Sequence, residues 1–249
     1  MKWRIIEGEK RSEAMQHAID QVLHERMESG EIGPTLRFWH RPHTSIPIGR
    51  FQSFRDEVNE SYVEKHDIEV VRRITGGGAM FSEPGNVITY SIYIPNNLVE
   101  SESIKESYRE LDGFARRSLR KLGVDVEHVP LNDIEHEEGK IGGAAQSRGQ
   151  ESVLHHTMMS YDLDIEAMLR ALKIGEKKLS DKAVRSAEKR VARISDHTDA
   201  SREKVIDTLT EEFTDGKEWH RGSIERETER RAEKLVDEKF STSEWNRML

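Results

Sequence analysis

The sequence predicts an α+β fold of mixed, largely antiparallel sheets flanked by helices, ending in a helical C-terminal tail. Short runs of strand-type alternation fill the first two thirds of the chain, amphipathic helical segments interrupt them, and from residue 164 onward the spacing turns helical as the charge rises. In chain order, WRIIE reads as a strand, and Met15, Ala18, Ile19, Val22 and Leu23 recur at helical spacing up to a closing Gly30. LRFWH (36 to 40) and SIPIGR (45 to 50) are short strands, followed by a charged helix from about Asp56 to His66 and the strand IEVVRR. In VITYSIYIP, after the EPGN turn, Ile88, Tyr90, Ile92 and Ile94 share one face and Val87, Thr89, Ser91 and Tyr93 the other, a strand covered on both sides. A helix over 102–122 ends at Gly123, where a C-cap glycine belongs, and VDVEHV follows as a strand. Residues 132 to 164 then read as consecutive antiparallel strands, turning at Glu138-Gly139 and again near Arg148-Gly149.

Composition limits the function. With 249 residues, 35% hydrophobic and 35% charged, the chain can bury one large core, so a single domain over 1–249 is expected, an α/β core over 1–175 and a helical part over 176–249. A net charge of −8 argues against a nucleic-acid partner, and the acidic tail from 201 reads as a solvated helical face. MKWRIIEGEK carries charges through its few apolar residues and no run approaches membrane-helix length, which points to a cytoplasmic protein without a membrane partner. The absence of cysteine excludes disulfides, thiolate metal sites and a thioester intermediate.

Candidate chemistry concentrates in a few places. Gly76, Gly77 and Gly78 directly follow a strand and two arginines, a cost in backbone entropy that implies either a flexible turn or a close approach of backbone to a ligand. Arg72 and Arg73 alternate faces, so at most one points into whatever the glycines line. Alternation places Lys140 on the face of Gly142, opposite Ile141, as an anion holder or an exposed edge lysine. His155 and His156 point to opposite faces, which disfavours a metal site built from the pair. Asn132-Asp133 offers metal or phosphate ligands or plain turn chemistry, and Ser180, Lys182, Ser186 and Arg190 form a polar helical stripe.

In order and spacing, "IGRFQSFRDEVN" (48 to 59), "RRITGGGAMFSEPGN" (72 to 86), "LND" (131 to 133), "GKIGGAAQSR" (139 to 148), "LHHTMMSYDLD" (154 to 164), "KLSDKAVRSAEKRV" (178 to 191) and "FSTSEWN" (240 to 246) resemble the catalytic domain of lipoate–protein ligase. That family belongs to the biotin/lipoate ligase superfamily, with a class II synthetase-like core. The resemblance implies ATP-dependent activation of lipoate to lipoyl-AMP, with Mg²⁺, and transfer of the lipoyl group to a lysine of an acceptor protein. It implies Lys140 as the catalytic cation, Arg73 and Thr75 near the ligand carboxyl and nucleotide, and Gly76, Gly77 and Gly78 along the acyl-adenylate. Ala79, Gly142, Gly143 and His156 complete the implied binding set, with Asn86 and Asp133 near the nucleotide and Asp133 near its Mg²⁺.

Three departures qualify the resemblance. Ser82-Glu83 stands where many members have His-Asp, and Thr157 stands where many have glycine, which implies a narrower acyl tunnel. The chain ends soon after SEWN, where longer relatives continue into an accessory domain, so it resembles the archaeal two-protein type and implies a small accessory subunit as partner. The implied acceptors are lipoyl domains, of an E2 subunit or the glycine cleavage H protein. An octanoyl or lipoyl acyltransferase shares the implied fold, but its family mechanism uses a cysteine, leaving Ser147 or Ser152 as substitutes. A non-catalytic binder of lipoyl-adenylate or of lipoylated proteins is the other alternative. Biotin ligation is disfavoured because that branch's Gly-Arg-Gly-Arg type loop is replaced by Arg-Ile-Thr-Gly-Gly-Gly.

Overall fold

A computed structural model describes residues 1–99, 103–173 and 191–249; the polar stripe at Ser180, Lys182, Ser186 and Arg190 lies outside the described residues. In chain order the elements are β1 (Lys2–Ile6), α1 (Glu13–Glu28), β2 (Thr35–Trp39), β3 (Ser45–Ile48), α2 (Phe54–Glu57), α3 (Glu60–Lys65), β4 (Glu69–Arg72) and β5 (Val87–Pro95). There follow α4 (Ile104–Leu111), α5 (Gly113–Lys121), β6 (Glu127–Val129), β7 (Asp133–His136), β8 (Gly139–Arg148), β9 (Ser152–Ser160) and α6 (Ile165–Ala171). The last are α7 (Arg202–Thr214), β10 (Glu218–Gly222), α8 (Arg226–Leu235) and α9 (Ser243–Asn246).

Eight strands form one sheet in the order β10-β1-β2-β5-β9-β8-β7-β6, and β3 pairs with β4 beside it. Only β10/β1 and β1/β2 are parallel in the large sheet, while β2 through β6 pair antiparallel. This is the mixed α+β architecture expected. Every residue from Val87 to Ile94 is buried, because β5 sits mid-sheet with helices on both sides. Ile88, Tyr90 and Ile92 pack against Phe114 and Leu119 of α5 and Val205 and Leu209 of α7. On the opposite face Tyr93 and Leu154 meet α1 and Phe240.

Helix α1 follows its sequence signals closely. Ser12 caps it by accepting from the Met15 N–H at 3.2 Å, and Gly30 just beyond has φ +71. Ala18, Ile19, Val22 and Leu23 are fully buried, and the three larger ones contribute about 1.5–3 kcal/mol each on the scale of apolar transfer.

Five expectations need correction. The charged helix over 56–66 is two helices, because Val58 is extended and bridges Leu172 while Asn59 caps α3. The helix over 102–122 is likewise two, α4 and α5, parted at Asp112, whose fully buried carboxylate turns into the sheet to accept from Tyr90 Oη (2.6 Å) and Thr157 Oγ1 (2.7 Å). Within VDVEHV only Glu127–Val129 is strand. The C-terminal part contains the strand β10 besides helices; EWHRG pairs on one side only at the sheet edge, so it lacks the alternation of a half-buried strand. Nor is that part merely solvated: Ala232 and Phe240 are fully buried, and Arg231–Glu25 (2.9 Å) and Arg11–Glu229 (2.6 Å) bind α8 to the N-terminal region. Among the described residues no helix is long and apolar enough to cross a membrane.

Candidate active site

The adjacent arginines at the end of β4 have different tasks. Arg72 donates to the carbonyls of Gly49 (3.0 Å), Gln52 (2.6 Å), Trp245 (3.0 Å) and Asn246 (3.0 Å), clasping the C-terminal segment. Arg73 turns the other way, and its guanidinium is encircled by carbonyl oxygens of Pro47 (3.0 Å), Gly76 (2.7 Å) and Gly78 (2.8 Å). Burial lowers the Arg73 pKa to about 10, which still leaves it cationic at neutral pH. The glycine loop is therefore wound around a buried cation.

This arrangement sets the demand for glycine. Gly77 has φ +90, and a Cβ there would lie 2.9 Å from Arg73 Nη2. Gly76 and Gly78 face open space, so their missing side chains leave room rather than avoid a clash. Gly49, which the sequence reading did not single out, is equally constrained: a Cβ on it would meet the Gly77 carbonyl oxygen at 2.0 Å. Its signal was its place in IGR, at the start of the first matching block. Gly77→Ala is expected to destabilise the fold by about 1–3 kcal/mol through left-handed strain, checked by urea unfolding.

Lys140 reaches the same cleft by a bulge. Ile134 pairs with Gly142 but Glu135 pairs with Lys140, so Ile141 is the extra residue and the alternation shifts. Lys140 consequently lies over Gly143, where a Cβ would come within 2.7 Å of its Nζ, and not with Gly142 as simple alternation predicts. Gly142 faces the far side, where a Cβ would meet Met159 Cγ at 2.8 Å. Lys140 Nζ is paired with Asp133 Oδ1 at 2.7 Å, and both side chains remain partly exposed.

The two histidines divide as expected. His155 Nε2 meets Asp112 Oδ1 at 2.8 Å on the helix-covered face, whereas His156 faces the cleft. His156 Nδ1 lies 3.0 Å from Asp20 Oδ2 and Nε2 lies 2.8 Å from Thr75 Oγ1. Burial, only partly countered by Asp20, lowers the His156 pKa to about 4, so the ring is neutral. Its N–H then faces the carboxylate, and Thr75 donates its hydroxyl proton to the bare Nε2.

Behind His156 is a buried polar group that the sequence reading missed. Asp20 also accepts from Arg37 Nη2 (2.6 Å), Ser91 Oγ (2.9 Å) and Tyr93 Oη. Beside it Glu13 accepts from Arg41 and from Ser45 Oγ (2.7 Å), with His17 Nε2 2.9 Å away. Burial alone would raise both carboxyls, but Arg41 and His17 for Glu13, and Arg37, His156 and Tyr93 for Asp20, hold them well below the ordinary carboxylate range. The available signal was Glu13, Gln16, His17 and Asp20 at i, i+3, i+4 and i+7, a polar stripe on a helix whose other stripe is apolar.

These ionisations give a signed pH dependence. The unfolded chain protonates His156 near its ordinary 6.5 while the folded chain resists until about 4, so stability falls with pH across that window by on the order of 3 kcal/mol. Asp20 and Glu13 add to the loss as pH falls further through their ordinary range. Thermal melts should show Tm dropping from pH 6.5 to 4, and His156→Gln should flatten that slope.

The cleft, about 90 Å³, is lined by Arg73, Gly77, Gly78, Ala79, Lys140, Gly143 and His156 of the expected set. Met80 and Met158 give it an apolar side. Of the remaining expected residues, Thr75 supports His156, Gly76 gives its carbonyl to Arg73 and Asp133 pairs with Lys140. Gly142 does not face the cleft, and Asn86 does not line it. Asn86 fixes a turn, its carbonyl accepting from the N–H groups of Tyr161 (2.9 Å) and Asp162 (3.0 Å). Glu83 is also a fastener, accepting from the Asp164 N–H at 2.8 Å. Thr157 is among the residues lining the cleft, and its hydroxyl donates to Asp112.

A cleft whose lining combines an apolar side with the basic side chains of Arg41, Arg73 and Lys140 suits a ligand with an apolar chain and an anionic head. Residues 12–214 match the profile of the lipoyl protein ligase A/B catalytic domain, and the chain belongs to that family. It is 31% identical over 244 residues to lipoate-protein ligase A subunit 1 of Thermoplasma acidophilum, covering 93% of this chain and 91% of that one. An octanoyltransferase LipM of Exiguobacterium sp. is 32% identical over 214 residues, covering 76% of this chain and 77% of that one. Among solved structures, the bi-partite lipoate protein ligase of T. acidophilum, described with its E2 lipoyl domain, superimposes with a TM-score of 0.89 at 29% identity, covering 100% of this chain and 98% of that one. A lipoate-protein ligase A bound with ATP superimposes with a TM-score of 0.85 at 27% identity over the whole of both chains.

Proposed function

We propose that the chain is a lipoate–protein ligase that joins lipoate to ATP as lipoyl-AMP, releasing pyrophosphate, and passes the lipoyl group to a lysine ε-amine of a lipoyl domain. The observation that carries this reading is a cleft lined by Lys140, Arg73 and Arg41 together with apolar side chains, in a chain without cysteine. Attack of a carboxylate oxygen on the α-phosphorus brings two anions together, and fixed cations with loop N–H groups offset that charge. Lys140 has room to move from Asp133 to a phosphate or carbonyl oxygen, since both are partly exposed. Arg73 holds the glycine loop in shape and adds a positive field. In the second step the acceptor amine attacks the carbonyl carbon, AMP leaves with the bonding electrons, and Lys140 stabilises the oxyanion.

The residues present also fit Mg²⁺ carried by the nucleotide. Such an ion takes one or two carboxylates and completes its shell from phosphates and water, and Asp133 offers one partly exposed carboxylate beside the lysine. When bound, the ion would help neutralise the phosphates.

The acyltransferase reading is disfavoured by the structure as well as by composition. Ser152 is buried and donates to Glu28 Oε2 at 2.6 Å, and neither Ser147 nor Ser152 lines the cleft. The likeness to subunit 1 of a two-part ligase supports a separate accessory polypeptide and a lipoyl-domain acceptor as partners. The test follows transfer of radiolabelled lipoate to a lipoyl domain, comparing ATP plus lipoate with preformed lipoyl-AMP, with and without a candidate accessory protein. Transfer from lipoyl-AMP by the chain alone is expected. Ligand binding without transfer under any condition would establish the non-catalytic binder instead.

A further inference from the structure

Outside the cleft, one group of side chains among the described residues has metal-ligand chemistry. A ring nitrogen of His136, a ring nitrogen of His197 and a carboxylate oxygen of Glu138 all lie within 4.8 Å of one another. His136 ends β7, Glu138 occupies the turn into β8, and His197 follows the short helical turn Ile194–Asp196 from a distant part of the chain. His197 Nε2 is buried without a hydrogen-bond partner and lies 3.8 Å from Glu138 Oε2, beyond hydrogen-bond reach. The two imidazoles stack with centroids 3.8 Å apart and planes 29° from parallel, which brings both rings to the same carboxylate. His136 Nδ1 accepts from the Glu138 N–H at 3.2 Å, a long bond that coordination through that nitrogen would replace. A buried ring nitrogen with no partner costs free energy that a cation at this point would recover.

We propose that His136, Glu138 and His197 bind a divalent transition-metal ion, with zinc the best match to two imidazoles and a carboxylate. Zinc ligands lie about 2.0–2.2 Å from the ion, so the three groups need only draw together by roughly an ångström, and Glu138 is exposed enough to do so. A water completes a tetrahedral shell. Its place in the fold gives the ion an effect on the candidate active site. His136 and Glu138 belong to the hairpin that presents Lys140, and the Ala192 N–H donates to the Lys140 carbonyl at 3.0 Å only five residues before His197. The ion would fasten the lysine hairpin to the segment running from 191 to 197. The inference does not depend on the ligase reading, because it concerns binding by these three residues alone.

The test is titration of chelator-treated protein with zinc chloride by calorimetry, and with cobalt chloride by visible absorption. One saturable site is expected, with the absorption bands of tetrahedral cobalt and a rise in Tm that a chelator reverses. His197→Ala and Glu138→Gln should each weaken binding by roughly 10–100-fold or more, and Glu138→Gln changes an exposed side chain that the fold does not need. Melting curves without metal show whether each variant folds. Absence of saturable binding, or binding that both substitutions leave unchanged, would overturn the proposal, since the other histidines would then account for any uptake.

Discussion

Lys140→Ala is expected to lower the rate of lipoyl-adenylate formation by about 10²–10³-fold, the usual cost of removing one fixed charge donor from a transition state. The folded state should lose little, because Lys140 is partly exposed and its one carboxylate partner, Asp133, can turn to water. The predicted signature is a fall in kcat for pyrophosphate release with an unchanged thermal melt. Transfer from preformed lipoyl-AMP should fall as well, since the same ammonium faces the oxyanion of the second step. Lys140→Arg tests position rather than charge: a Cβ on Gly143 would already sit 2.7 Å from Nζ, so the space over the strand is filled by a narrow ammonium, and a planar guanidinium does not fit it. Arginine should therefore restore less than a tenth of the lost rate. Wild-type rates in Lys140→Ala would remove the lysine from the chemistry.

The second large effect is expected at Arg73. Arg73→Met removes the cation and leaves the carbonyls of Gly76 and Gly78 without their donor in a buried setting, while the Pro47 carbonyl keeps the Met80 N–H. At about 1–3 kcal/mol for each such group, relieved in part by water entering the loop, a net loss near 3 kcal/mol is a fair estimate. That corresponds to a Tm lower by roughly 6–12 °C for a chain of this size. Lipoate affinity should fall in parallel, because the same side chain shapes the glycine loop and supplies positive field. Arg73→Lys keeps a charge but cannot reach three carbonyls with the geometry of a fork, so it should recover binding more than stability. Calorimetry of lipoate binding beside thermal melts separates the two. A variant that keeps its Tm but loses binding would show that the guanidinium serves the ligand and not the loop.

Much of this was legible in residue order. The strands of the central sheet and the opposed faces of His155 and His156 follow from periodicities that hold wherever strands stay regular, and Gly30 marks the end of α1. The failures share a cause. Lys140 was assigned to the face of Gly142 because alternation cannot anticipate a bulge, and one extra residue reverses the parity of everything upstream of it. The strand β10 was read as helix because an edge strand buries so little that it carries no period. The expected helix over 102–122 concealed a break at Asp112, whose partners Tyr90, His155 and Thr157 come from remote strands. Asn86 enters through a matching block alone; it does not line the cleft, and its carbonyl fixes a turn.

Arg72 and Arg73 share a peptide bond yet hold different parts of the chain. The first is committed to Trp245 and Asn246, which return the grip: Trp245 Nε1 donates to the Arg72 carbonyl at 2.6 Å and Asn246 Oδ1 accepts from the Arg72 N–H at 2.8 Å. The second holds the glycine loop. Residues near 245 and residues 76–78 are therefore not free to drift independently through evolution. A substitution that loosens the Trp245 grip shifts the backbone one residue from the guanidinium that shapes the cleft, so directed-evolution libraries aimed at acyl-chain preference have reason to include positions 245 and 246, far from the cleft in sequence and one residue away in mechanical terms.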